Sequence, residues 1–215
     1  IDTVNMSINK LIKEVQKTPK NMLTLAQIAE ETLYGDSAQF WSDELYLPFA
    51  IAVTKTKKLS KAEKARYVHQ VTILTNSMVG ATAPSFNFVT PTRETMAFDS
   101  IVAPAIILFF NDPDCTDCRL AKARLSTDLN LNKLIDHGVI KIVSIHPGEA
   151  DEQWQAEAVN YPQNWIVGAC EDIPDLFDMR TTPMIYQLDD KHQIIAKHLN
   201  VSGIIGALSN LNINF

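Results

Sequence analysis

A pair of cysteines directly after a run of apolar residues constrains the fold of this chain more than any other feature. Residues 105–110 form a continuous apolar run, which is typical of a strand buried on both faces of a sheet. A short polar loop follows, and Cys115 and Cys118 then begin a segment in which Leu120 and Leu125 share one helical face. The order of strand, loop, cysteine pair and helix predicts an α/β fold with the cysteines at a helix N-terminus.

The position of these cysteines favours thiol chemistry. At the N-terminus of a helix, free backbone N–H groups and the helix dipole stabilise a negative charge, so the first thiol ionises more easily. Only a thiolate attacks a disulfide, and the three-residue step places the second sulfur on the same helical face. The motif therefore predicts a redox pair in which Cys115 is the attacking thiolate and Cys118 resolves the mixed disulfide.

The first 79 residues have helical periodicity, and we interpret them as a small all-helical domain. Apolar residues recur at spacings of three or four, Thr18-Pro19 ends the first such stretch, and Ser60 and Glu63 have the form of a capping box. The predicted helices cover residues 4–15, 22–33, 37–55 and 60–78.

Turn-forming residues at 80–84 end the helical periodicity, so the sequence predicts a second domain at residues 80–215. Its predicted strands cover residues 86–89, 95–98, 105–110, 139–145, 184–188 and 193–199. Predicted helices lie after the cysteines, from Ser126 to before Gly138, and at 150–158, 173–177 and 203–208. The predicted fold class is α/β, a mixed sheet with flanking helices preceded by the helical domain.

Composition excludes several classes of function. The net charge is −6 and no basic stripe with interleaved aromatic residues occurs, so we expect no nucleic-acid partner. No apolar run approaches the roughly 20 residues that span a bilayer. The chain begins with Ile1 rather than Met, so we expect an upstream segment removed by processing or cloning, with room for a signal peptide or a membrane tether.

Three segments resemble one known family. Residues 80–86 match a G-x-x-A-P-x-F pattern, and the cysteine motif follows the first core strand. Residues 180–186 contain Thr182-Pro183, and Pro183 is 65 residues after Cys118. Together they are similar to the thioredoxin superfamily, and in particular to its periplasmic or membrane-tethered thiol–disulfide oxidoreductases related to cytochrome-maturation thioredoxins. The resemblance covers roughly residues 80–215, so it implies a thioredoxin-like fold for that domain.

The resemblance also implies a site and a place of action. Pro183 would follow a cis peptide bond and pack against the cysteine pair, and the backbone of Thr182 would pair with a substrate peptide. The substrates would be protein thiols and disulfides, together with a redox partner protein that the sequence does not name, and no organic cofactor is expected. The implied localisation is the periplasm or cell envelope.

Departures from the family pattern bear on the direction of electron flow. Asp114 stands where many members have Trp, Thr116-Asp117 replaces Gly-Pro, and Phe109 occupies the place of a buried acid that relays protons in thioredoxin. Two acids beside the pair disfavour a thiolate, and we expect Arg119 to point away along the helix. The sequence therefore predicts a reducing pair, with a potential closer to about −270 mV than to about −120 mV.

Alternatives remain open at the level of the sequence. The cysteine pair fits a reductase or an isomerase of protein disulfides, a redox-inactive thioredoxin-like binding module, or, with weaker support, a copper or other metal-delivery protein. We expect no metal site, because the five histidines lack metal-binding spacing. Cys170 lies far from the pair in the chain and is interpreted as a lone buried or partly exposed thiol.

Overall fold

The polypeptide divides into two units, with the boundary between Met78 and Val79. A computed structural model describes residues 2–35, 38 and 40–209. The first unit contains four helices in its described part: α1 (Asp2–Val15), α2 (Pro19–Leu33), α3 (Asp43–Lys55) and α4 (Lys61–Asn76). None of the helices within the described ranges is long and apolar enough to cross a membrane.

Local sequence signals explain where the helices of the first unit begin. Pro19 occupies the first turn of α2, where its missing N–H costs no hydrogen bond. The Ser60 hydroxyl accepts the N–H of Glu63 and the Glu63 carboxylate accepts the N–H of Ser60, so the predicted capping box is present. A shared core of Met22, Tyr46 and Leu74 side chains joins the helices.

The third helix begins later than the sequence predicted. The prediction placed its start at Ser37, which lies outside the described residues, but residues 40–42 are not helical and α3 begins at Asp43. Asp43 and Glu44 explain this start, because acidic side chains in the first turn interact favourably with the helix dipole.

The second unit contains a seven-stranded mixed sheet with the strand order β2-β1-β5-β4-β3-β6-β7. Strands β3, β4 and β5 are parallel to one another, and the other pairings are antiparallel. The strands are β1 (Asn87–Val89), β2 (Thr95–Ala97), β3 (Ala105–Phe110), β4 (Ile140–His146), β5 (Ile166–Ala169), β6 (Met184–Asp189) and β7 (Ile194–Ala196). The predicted mixed α/β architecture is confirmed.

Helices cover the sheet, and the central strand is buried on both faces. The helices are α5 (Thr116–Thr127), α6 (Leu129–Asp136), α7 (Glu152–Ala158), α8 (Ile173–Leu176) and α9 (Val201–Ser209). Along β3, Leu108 and Phe110 pack into one core cluster, whereas Ile107 and Phe109 pack into the other, with residues of α5, α6 and α9. This burial on two faces explains why residues 105–110 are apolar without alternation.

Strand β5, helix α6 and the end of β7 differ from the sequence prediction, which extended the last strand to residue 199 whereas β7 ends at Ala196. Strand β5 was not predicted, because it is four residues long and contains Gly168. Helix α6 begins after Asp128, whose carboxylate accepts the Leu131 N–H at 2.8 Å, rather than at Ser126. Since β3, β4 and β5 are parallel, their carboxyl ends meet at one edge of the sheet, and the cysteine pair follows β3 at that edge.

Candidate active site

The cysteine pair lies at the start of α5, as the sequence predicted. Cys115 is the N-cap residue of the helix, Cys118 is in its first turn, and the two form a disulfide. The backbone N–H of Cys118 donates a hydrogen bond to Cys115 Sγ over 3.1 Å. A thiolate formed at Cys115 on reduction would therefore face a backbone donor and the positive end of the helix dipole.

The two sulfurs differ in their access to solvent. Cys115 is partly exposed to solvent, whereas Cys118 is buried and only 2% exposed. A disulfide substrate can therefore approach Cys115, and the Cys118 side chain faces the protein interior.

A loop from the other side of the site contributes Thr182 and Pro183. The Thr182–Pro183 peptide bond is cis, and the carbonyl oxygen of Thr182 lies 3.4 Å from Cys115 Sγ. The tertiary structure thus brings Thr182 next to Cys115 although the two are 67 residues apart in the chain. The four residues that the sequence analysis assigned to a site are thus the two cysteines of the disulfide and the two residues of the cis peptide bond, whose Thr182 carbonyl lies beside Cys115.

A buried ion pair holds the segment that precedes this loop. The Asp178 carboxylate is inaccessible and lies 2.5 Å from Arg180 Nη2 and 3.4 Å from Lys197 Nζ. The hydroxyl of Tyr186 also donates to the carbonyl oxygen of Asp178 over 2.9 Å. The Tyr186 hydroxyl connects this segment to strand β6. Arg180 is only two residues from Asp178 and Lys197 is 19 residues from it, but no local pattern in the sequence indicates that the fold buries the three charges together.

Charged groups surround the entrance of the site. The Asp114 carboxylate accepts a hydrogen bond from Gln153 Nε2 over 2.9 Å, and Asp117 is exposed in the first turn of α5. We expected Arg119 to point away along the helix, and this prediction was wrong. Its guanidinium turns back toward the helix N-terminus, because it donates hydrogen bonds to Pro113 O at 2.9 Å and to Thr116 Oγ1 at 3.1 Å. One positive charge therefore stands near the two acids.

A buried polar network is centred on Asn111, directly after β3, and Phe109 two residues earlier carries no acidic group. Phe109 is fully buried and packs edge-on against Trp165. The amide of buried Asn111 donates to Ser144 Oγ at 2.7 Å and to Phe109 O at 3.1 Å, and its Oδ1 accepts the hydroxyl of Tyr161. Burial, reinforced by the nearby Glu157 and Asp112 carboxylates, raises the pKa of Tyr161 to about 12 despite a hydrogen bond with Ser144.

A small cavity adjoins this network and the inner cysteine. Its volume is about 10 Å³, and it is lined by Asn111, Asp112, Pro113, Cys118, Arg119, Lys122, Glu157 and Tyr161. Lys122 Nζ lies 4.0 Å from Glu157 Oε2 and 4.2 Å from the centre of the Tyr161 ring. Sequence reasoning missed Lys122, Glu157 and Tyr161, because only the packing of α7 and the residues after it against α5 brings them to Cys118.

The third cysteine is a free, buried thiol, in agreement with the sequence interpretation. Cys170 follows β5 and is 8% exposed, and burial raises the pKa of its thiol. It lines a separate open cavity of about 320 Å³, together with Asn87, Val89, Gly148, Glu149, Ala150, Ala169, Glu171 and Asp172. Cys170 therefore has the properties of an unreactive structural cysteine.

Similarity to known proteins lies in three-dimensional structure. No protein-family model and no curated protein sequence matches the chain. A thioredoxin-like protein from Bacteroides caccae superimposes with a TM-score of 0.83 at 22% identity, over 98% of this chain and 78% of that one. A conserved protein of unknown function from Bacteroides fragilis is 33% identical over 61% of this chain and 99% of its own, with a TM-score of 0.58. The thioredoxin domain of a Bacteroides vulgatus thiol-disulfide oxidoreductase matches 61% of this chain and 96% of its own, at 17% identity and a TM-score of 0.51.

Proposed function

Because the chain has a thioredoxin-like fold, we propose that it exchanges thiols and disulfides with protein substrates through Cys115 and Cys118. The observation that carries this proposal is the asymmetry of the pair. The partly exposed Cys115 sits at a helix N-terminus beside Thr182 O, and the buried Cys118 stands one helical turn behind it. Such a pair can attack with one sulfur and resolve with the other.

The proposed reaction has two steps. The Cys115 thiolate attacks a substrate disulfide, which forms a mixed disulfide and releases one substrate thiolate. Cys118 then attacks Cys115 Sγ, which releases the second substrate sulfur and forms the Cys115–Cys118 disulfide found in the structure. The backbone of Thr182 would hold the extended substrate peptide beside Cys115, and the exchange itself needs no organic cofactor.

We infer that the pair acts as a reductase or isomerase. Asp114 and Asp117 disfavour accumulation of a thiolate at Cys115, and a less stable thiolate makes the disulfide a weaker oxidant. The resemblance of residues 80–86 and 180–186 to envelope oxidoreductases related to cytochrome-maturation thioredoxins supports a place in the cell envelope. A redox partner protein there would return the pair to its reduced state.

Reduction of insulin by dithiothreitol tests the proposal, because precipitation of the free insulin B chain reports catalysis directly. We expect the protein to accelerate precipitation, Cys115→Ser to abolish the acceleration, and Cys170→Ala to leave it unchanged. If the unmodified protein does not accelerate precipitation, while it remains folded, thiol–disulfide exchange is excluded and a redox-inactive binding module becomes the better explanation.

A further inference from the structure

The second step of the proposed exchange requires a proton acceptor near Cys118. A thiol attacks only after it has lost its proton, and Cys118 is 2% exposed, so bulk water has little access to it. Phe109, fully buried on β3, is neither an acid nor a base. The candidate proton acceptors are therefore the groups that line the same cavity as Cys118.

Tyr161 and Asn111 do not meet this requirement. The hydroxyl of Tyr161 is occupied as the donor to Asn111 Oδ1, and it stays protonated at neutral pH because burial raises its pKa to about 12. The Asn111 amide donates to Ser144 Oγ and Phe109 O. These groups fix the wall of the cavity but take up no proton.

The two cations lining the cavity, Lys122 and Arg119, are donors without an acceptor atom. Two carboxylates remain, those of Asp112 and Glu157. Asp112 is part of the loop before the cysteines, and its Oδ1 accepts the backbone N–H of Asp114 over 2.8 Å, which stabilises the turn. Glu157 projects from α7, and its Oε2 lies 4.0 Å from Lys122 Nζ.

The position of Glu157 also suits release of a proton to solvent. Its side chain is 45% exposed, whereas that of Lys122 is 19% exposed, so the carboxylate reaches from the cavity to bulk water. The cavity volume of about 10 Å³ corresponds to about one water molecule. One water molecule could accept from Cys118 and donate to Glu157 at the same time.

We propose that Glu157 accepts, through a single water molecule in this cavity, the proton that Cys118 loses as it resolves the mixed disulfide. The Cys118 sulfur then forms its bond to Cys115 Sγ, the bond between Cys115 Sγ and the substrate sulfur breaks, and the departing thiolate takes a proton from solvent. Glu157 later releases its proton to bulk water, so no other reactant is consumed. Lys122 is a positioning residue whose ammonium group holds the Glu157 carboxylate at the cavity. This proposal rests on the proposed function.

A chromogenic aromatic disulfide, 5,5′-dithiobis(2-nitrobenzoate), separates the two steps in one experiment. Attack by Cys115 releases the first thionitrobenzoate, and resolution by Cys118 releases the second, so stopped-flow absorbance shows two phases. The protein is used in its reduced form with Cys170→Ala, which removes the third thiol. A Cys118→Ser variant identifies the first phase, because it can release only one equivalent.

We expect Glu157→Gln to slow the second phase about tenfold or more at neutral pH and to leave the first phase unchanged. In the unmodified protein the second phase should vary little between about pH 6 and pH 8, whereas in the variant it should rise with pH as hydroxide replaces the carboxylate. Glu152→Gln is the matched control, since Glu152 lies on the same helix, is exposed and does not line the cavity. It should leave both phases unchanged.

Three results would overturn the assignment of Glu157. The first is an unchanged second phase in Glu157→Gln. The second is a faster second phase in that variant, which would mean that an unpaired Lys122 stabilises the Cys118 thiolate directly. The third is a loss of the second phase in Asp112→Asn alone, which would make Asp112 the acceptor. Absence of any first phase in the unmodified protein would instead contradict the proposed function.

Discussion

At the scale of single residues, the environment of each sulfur accounts for its expected reactivity. Cys115 is partly exposed at a helix N-terminus, Cys118 is 2% exposed, and the burial of Cys170 raises the pKa of its thiol. Reactivity toward an alkylating agent requires access and a stabilised thiolate, and only Cys115 combines partial exposure with a backbone N–H donor to its sulfur at a helix N-terminus.

Limited iodoacetamide treatment of the reduced protein should therefore modify Cys115 first. Peptide mass spectrometry of samples quenched at successive times measures the order of labelling. The Cys115→Ser variant should show slow labelling only, at a rate close to that of Cys170 in the unmodified protein. Earlier modification of Cys118 or Cys170 would contradict the assignment of the nucleophile.

Charges beside the pair should tune its reduction potential in opposite directions. Asp117→Asn removes a negative charge near Cys115, stabilises the thiolate and should make the pair more oxidising by on the order of 10–30 mV. Arg119 folds back toward Pro113, so Arg119→Gln removes a nearby positive charge and should shift the potential the other way. Equilibration against glutathione buffers measures both values.

The unmodified pair provides the reference for these shifts. We expect its potential to lie nearer about −270 mV than about −120 mV, because two acids oppose the helix dipole. A value above about −180 mV would place the protein among the oxidases and refute the reducing assignment. Shifts of the same sign in Asp117→Asn and Arg119→Gln would refute the electrostatic explanation.

At the scale of elements, the short strand β5 depends on a close approach of another side chain. A Cβ atom added at Gly168 would lie 2.1 Å from Cδ2 of Phe88, which is itself buried in β1. Strand β5 forms parallel pairs with β4 and one antiparallel pair with β1, so it links the two parts of the sheet. The absent side chain at Gly168 permits this link.

Gly168→Ala should therefore lower the free energy of unfolding by about 1–3 kcal/mol, because Phe88 has to move within a packed core. Gly206→Ala is the control: Gly206 lies in α9 with no heavy atom within 4 Å of the added Cβ, so it should raise the stability by about 0.5–1 kcal/mol. Urea denaturation measures both changes. Equal stability of Gly168→Ala and the unmodified protein would show that the Phe88 contact is unimportant.

At the scale of the whole molecule, the second unit contains everything that the proposed chemistry uses. The cysteine pair, Thr182, the cavity and the complete sheet all lie after Val79. Within the described residues, its two larger core clusters are formed by residues of that unit alone. A segment of this size with its own core is expected to fold by itself.

A fragment of residues 80–215 should consequently show a cooperative thermal transition and retain the cysteine reactivity of the full chain. Circular dichroism measures the transition, and the labelling order described above measures the state of the site. The fragment carrying Gly168→Ala should melt at a lower temperature, which provides an internal check that the transition reports the native sheet. A fragment without a cooperative transition would mean that the helical domain completes the core.

Local sequence determined several features of this protein by itself. The cysteine pair at a helix start, the capping box of Ser60 and Glu63, and the buried run 105–110 each depend on residues that are close in the chain. Propensity, capping and apolar periodicity act over such short separations, so their signals can be read directly.

Only the tertiary structure decided the rest. Strand β5 forms because β4 and β1 pair with it. The requirement for glycine at position 168 is visible only in the folded chain, where the Phe88 ring occupies the space of a side chain. Thr182 could be assigned from resemblance, but its 3.4 Å approach to Cys115 and the gathering of Glu157 at Cys118 follow from the packing of separate elements. These contacts join residues tens of positions apart, and a linear pattern carries no record of them because they form only when the whole core closes.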